Sequence, residues 1–219
     1  MSSWRIRYPG YLVGHWKLQS NALDDSGHGY DGTVSGMVYA DGPFGKMVGE
    51  FDGNDDYVNM GDVDELNSVI EFTYSVWFAQ DVLDVEDHLM RKYGGPSSEM
   101  SIKTLADGNL SVTLDRGANE CGYFDYSVVV SAGAAHHLSV VYNGGGAANI
   151  DRLKIYVDAK PMTLTYSGTI GTRSPGTSGG NAYMGYNSVS FDGKMWDTYI
   201  HNIALTGDEI FSLYRMTKL

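Results

Sequence analysis

The chain is short of cysteine, of positive charge and of long apolar runs, and each shortage removes a class of protein. One Cys in 219 residues excludes an intrachain disulfide framework and any Cys-based zinc cluster. Lys and Arg number 15 against 27 Asp and Glu, a formal net charge of −12. Sequence-independent nucleic-acid binding needs Lys and Arg to displace counterions, so no nucleic-acid partner is expected. Anionic membrane surfaces are disfavoured for the same reason. No stretch reaches the ~18 apolar residues of a membrane span, so no membrane insertion is expected. The first ten residues, Met1 to Gly10, hold no apolar run of signal-peptide length. The expectation is therefore synthesis in the cytoplasm, without a visible signal peptide.

What is abundant is glycine and tyrosine, 28 and 16 residues, with only 19% charged residues. That balance suggests many short strands joined by tight turns and covered by aromatics. A chain of this length can bury roughly 70% of its unfolded surface without staples. Period-2 alternation dominates. Leu110, Val112 and Leu114 alternate with Ser111, Thr113 and Asp115, and Leu153, Ile155 and Val157 with Lys154, Tyr156 and Asp158. Phe72 to Phe78 is aromatic and β-branched on both faces, as a central strand requires. One helix is expected, at the end: Thr206 to Glu209 fits a capping box, followed by an apolar stripe of Ile210, Leu213 and Tyr214. The Gly- and Ser-rich stretch 167–180 reads as a long surface loop.

Most chemical motifs fail on context. Gly176 to Gly180 spells G-x-S-x-G, but no strand precedes it and no helix follows. Asp52 to Asp56 begins like a calcium loop but lacks the Gly and Glu of an EF-hand. Adjacent His136 and His137 point to opposite faces of a strand, so they cannot chelate one ion; one is expected to pack inward with its ring nitrogens satisfied. No alternating run of acids supplies the carboxylate pair of a glycosidase. Asp24, Asp25 and Asp31 lie with three glycines in nine residues. Two readings stay open there: a calcium loop, or Asp side chains capping backbone N–H groups.

The ordered series Leu12–Leu18, Asp24–Thr33, Phe51–Val58, Phe72–Phe78, His136–Tyr142, Leu153–Asp158, Phe191–Gly193 and Asn202–Thr206 resembles the laminin-G-like jelly roll of the concanavalin A-like lectin/glucanase superfamily. The resemblance implies an all-β fold: a two-sheet antiparallel jelly-roll sandwich over residues 11–219 with a short C-terminal helix, preceded by an N-terminal arm, residues 1–10. It also implies a structural calcium ion held by the loop aspartate and an acid in the last strand, here Asp24 and Asp197. With Asp31 these form the expected metal set. Many members carry two acids at the last strand, and Trp196 stands in place of the first. The acidic motif of the glucanase branch is absent, so no catalytic residues are expected.

Three functions compete. The first is a non-catalytic module that binds glycans on a cell or particle surface, with Tyr93, Tyr123, Tyr126 and Tyr186 as ligand-binding aromatics. The second is a structural or adhesion protein of a virus particle. Its arm, where Trp4, Ile6 and Tyr8 alternate with Arg5 and Arg7, would dock on a virion neighbour or a second copy by strand addition. A virion or extracellular surface is the expected location for either. The third is a glycoside hydrolase or lyase using dispersed residues.

Overall fold

The computed structural model describes residues 10–186 and 190–218. Sixteen strands occur among the described residues. They are β1 (Leu12–Trp16), β2 (Thr33–Ser35), β3 (Val38–Asp41), β4 (Met47–Asp52), β5 (Tyr57–Asn59), β6 (Glu71–Gln80), β7 (Asp87–Gly95) and β8 (Ser98–Thr104). They continue as β9 (Asn109–Asp115), β10 (Cys121–Asp125), β11 (His136–Asn143), β12 (Leu153–Val157), β13 (Lys160–Pro161), β14 (Thr165–Ser167), β15 (Ala182–Met184) and β16 (Asp192–His201). A single helical turn, α1 (Asn149–Arg152), joins β11 to β12, and α2 (Gly207–Thr217) closes the chain.

The strands form two antiparallel sheets. The first runs β13-β12-β11-β6-β16-β4-β3, with β1 also on β16; the second runs β14-β10-β9-β8-β7-β15-β5-β2. β16 serves β4 with its first half and β1 with its second. A bulge between Trp196 and Tyr199 makes the change, and Asp197 within it takes a positive φ of 47°. As the sequence implies, β6 lies mid-sheet between β11 and β16 and is buried on both faces.

Alternation sorts side chains to the two faces of each sheet. Phe72, Tyr74, Val76 and Phe78 of β6 meet Met90, Ile102, Val112 and Phe124 of the second sheet in one core. The other face of the first sheet is also covered. Ile210 and Leu213 of α2 pack on Val141, Tyr156, Ile203 and Leu205. The helix starts at the expected capping box, where Thr206 Oγ1 accepts from Glu209 N and Glu209 Oε2 accepts from Thr206 N. Its far end is held by Trp77, whose Nε1 donates to Thr217 Oγ1 at 2.7 Å. Trp77 stacks on Trp196 and Tyr214 in a second apolar cluster that Ala135 also joins.

His137 lies beneath this helix, 0% exposed, with neither ring nitrogen bonded. The satisfied nitrogens expected for a buried histidine are thus corrected: aromatic rings of Trp77 and Tyr214 surround it and offer no partner. Its neighbour His136 points the other way, with Nδ1 2.9 Å from Asp158 Oδ2.

Candidate functional site

Among the described residues, no helix covers the outer face of the second sheet. Its tyrosines and charged residues are exposed or half-buried, His88, Ser101 and Ser111 are buried among them, and the alternate positions face the core. Register builds the face strand by strand. Arg91 on β7 stands opposite Ser101 on β8 and Tyr183 on β15. Tyr93 stands opposite Glu99, and His88 opposite Lys103. Lys103 is opposite Ser111, which is opposite Tyr123 on β10. Tyr123, Tyr93 and Tyr183 therefore share one surface.

Tyr186 follows β15 and folds back onto this surface. Its ring meets His88 at 5.6 Å and Tyr183 at 5.7 Å, both edge-on, and Tyr183 in turn meets Tyr57 at 5.7 Å. The Arg91 guanidinium sits 4.4 Å from the Tyr186 ring centre and 4.7 Å from that of Tyr93. Arg91 Nε donates to Glu99 Oε1 at 3.0 Å, and Lys103 Nζ to Glu86 Oε1 at 2.8 Å. A continuous row of rings, held by a fixed guanidinium, crosses three strands.

Two polar atoms on this face lack partners. Ser101 is 0% exposed and its Oγ is unbonded; His88 is 4% exposed and its Nδ1 is unbonded. A buried polar group left unpaired costs about 1–3 kcal/mol. Burial first, then the Lys103 and Arg91 charges, push the His88 pKa down to about 4, so the ring is neutral at pH 7. Lys103 holds the Glu86 carboxyl below its usual range. Chemically the face offers flat apolar rings flanked by fixed donors and acceptors, the combination that sugar rings and their hydroxyls require.

The structure brings Tyr93, Tyr123 and Tyr186 to one face. Tyr126 is corrected: it is 0% exposed, belongs to the core, and its hydroxyl accepts from Asp84 N at 3.1 Å. It shares the parity of inward-facing Phe124, not of Tyr123, and that parity was the available signal. Arg91, His88, Glu99 and Tyr57 are additions. Trp4, Ile6 and Tyr8 lie outside the described residues.

The family model for the concanavalin A-like lectin/glucanases superfamily matches residues 52–211, most of the chain. The chain belongs to that superfamily. No curated protein matches it in sequence. Among solved structures, it is similar to domain 4 of AbnA, a GH43 extracellular arabinanase from Geobacillus stearothermophilus, in complex with arabinotriose. The identity is 20% over 93% of this chain and 98% of that one, with a TM-score of 0.70. It is also similar to the binding domain of Paraclostridial Mosquitocidal Protein 1, at 15% identity over 95% of this chain and TM-score 0.71. A third is the botulinum neurotoxin serotype D ligand binding domain in complex with N-acetylneuraminic acid, at 15% identity over 98% of this chain and TM-score 0.68. The chain spans about half the length of each toxin domain, 53% in both cases. At these identities the likeness is one of fold.

For this superfamily member, the metal set expected from the sequence is corrected. Asp24, Asp31 and Asp197 are not gathered around one point. Asp24 accepts from the backbone N–H groups of His15, Ser26 and Tyr30 and from the Ser26 hydroxyl. Those bonds hold its pKa down against the burial that would raise it. Asp31 accepts from Asp24 N at 2.9 Å. The loop is therefore tied together by side-chain caps. Asp197 receives the Lys46 ammonium at 3.1 Å, with His15 Nε2 3.5 Å away, beside a cavity of about 370 Å³ near the end of α2. Among the described residues, the group of three acids whose oxygens lie within 4.8 Å of one another is Asp52, Asp55 and Asp56.

Proposed function

We propose that this chain is a non-catalytic glycan-binding module whose ligand lies across the outer face of the second sheet. The observation that carries the reading is the row of Tyr57, Tyr183, Tyr186, Arg91 and Tyr93, set over two buried polar atoms without partners. Stacking on the rings supplies affinity, and Arg91 and Glu99 beside them present a donor and an acceptor to sugar hydroxyls. The lectin-type fold, and sugar complexes of the arabinanase domain and of the serotype D toxin domain, support the same reading.

The test is titration of a polysaccharide and oligosaccharide panel by calorimetry or affinity electrophoresis. Tyr93→Ala and Tyr186→Ala should each weaken binding roughly tenfold, the loss of about 1.4 kcal/mol of stacking. Tyr126→Phe, in the core, should leave affinity unchanged. Affinity untouched by both alanine variants places the ligand elsewhere and refutes the assignment.

A further inference from the structure

Among the described residues the face carries two cations, each paired with a carboxylate. Arg91 is bonded to Glu99 and Lys103 to Glu86. The chain as a whole carries −12. We propose, resting on the glycan-binding reading above, that Arg91 and Glu99 act as a fixed donor–acceptor pair that selects neutral glycans and discriminates against carboxylated sugars.

Arg91 is held from three sides, by the Tyr93 ring, the Tyr186 ring and the Glu99 carboxylate. Its Nε–H is committed to Glu99 Oε1, while its terminal amino groups bond to none of the described residues. Glu99 Oε2 likewise accepts nothing among them. A hydroxyl both donates and accepts, so two neighbouring hydroxyls of one sugar can give a proton to Glu99 and take one from Arg91.

A carboxylate can only accept. It would share the guanidinium whose Nε–H Glu99 already holds, and it would sit within a few ångströms of the Glu99 charge. Repulsion between like charges at that range in a partly solvated site is worth roughly tenfold in affinity. Salt should reduce it. Removing the Glu99 charge should do more, because the repelling carboxylate is then gone while the Arg91 charge remains.

The experiment uses oligosaccharide pairs that differ only in one sugar, a neutral hexose or the matching uronic acid. They are titrated against the parent protein and Glu99→Gln by calorimetry. The parent should bind the neutral member roughly tenfold more tightly, with the gap closing as NaCl is raised. Glu99→Gln should tighten binding of the uronic member roughly tenfold without tightening the neutral one. Equal binding of both members by the parent, or a preference for the acid, overturns the selectivity and leaves the glycan-binding reading standing. Binding of neither member by the parent overturns both. If Glu99→Gln does not fold, the parent's salt series decides the question alone.

Discussion

Replacing His137 by Phe should remove a large part of the protein's acid sensitivity. The ring is fully buried between Trp77 and Tyr214, and neither nitrogen has a partner. Burial drives its pKa down to about 4 from 6.5, with the Asp158 and Asp197 charges pulling weakly the other way. Folded protein thus keeps the ring neutral over a range where the unfolded chain protonates it. That stability is fully present above pH 6.5 and is lost as the pH falls toward 4. At about 1.4 kcal/mol per pH unit, the gap amounts to roughly 3 kcal/mol. This is a sizeable share of the 5–15 kcal/mol typical of a domain. His137→Phe keeps a ring of similar shape and has nothing to protonate. Urea unfolding followed by tryptophan fluorescence, between about pH 7.5 and pH 4.5, gives the parent-minus-variant difference in stability. His88 is present in both proteins and cancels. The variant should gain about 3 kcal/mol relative to the parent across that range. A difference that stays within about 1 kcal/mol of its value at neutral pH refutes the argument.

Two further substitutions probe other buried charges. Burial lifts the Asp87 pKa to about 6 despite bonds from Asp192 N and Gln80, so parent stability should fall as pH rises from about 4 to 6. Asp87→Asn should abolish that fall and gain roughly 2–3 kcal/mol on the parent above pH 6, read from the same urea series. Lys92 is 0% exposed, and its ammonium bonds Asp62 and the Gly180 carbonyl. Lys92→Met should cost about 2–4 kcal/mol, because Asp62 and Gly180 O lose their partner, and thermal melts at pH 7 will show it. No change in melting temperature would mean that water satisfies both groups.

The fold was more legible than the site because it is written in local signals. The capping box at Thr206 and the two-sided apolar run of β6 need only neighbouring residues to be read. The same parity separates Tyr123 from Tyr126, and applying it strictly at β10 places one outside and one in the core. Arg91 was hidden for a different reason. A bulge between His88 and Met90 breaks the alternation of β7, so nothing in the order of residues shows which side Arg91 takes. The pairing of Lys46 with Asp197 joins residues 151 apart, and no local pattern encodes it. That pairing sets an ammonium against Asp197, which its position in the family series does not reveal.

The helix on the first sheet has a practical consequence for handling the protein. Gly10 is held by Asn202 just beyond β16, and Tyr11 packs with the helix cluster. The C-terminal helix ends at Thr217 beneath Trp77. Both described ends therefore emerge on the helix-covered side, and the aromatic row looks the opposite way. A surface coupled through an exposed position of that helix, such as Phe211, would display the row outward in the same orientation on every molecule, so tethering should gain avidity on multivalent glycans.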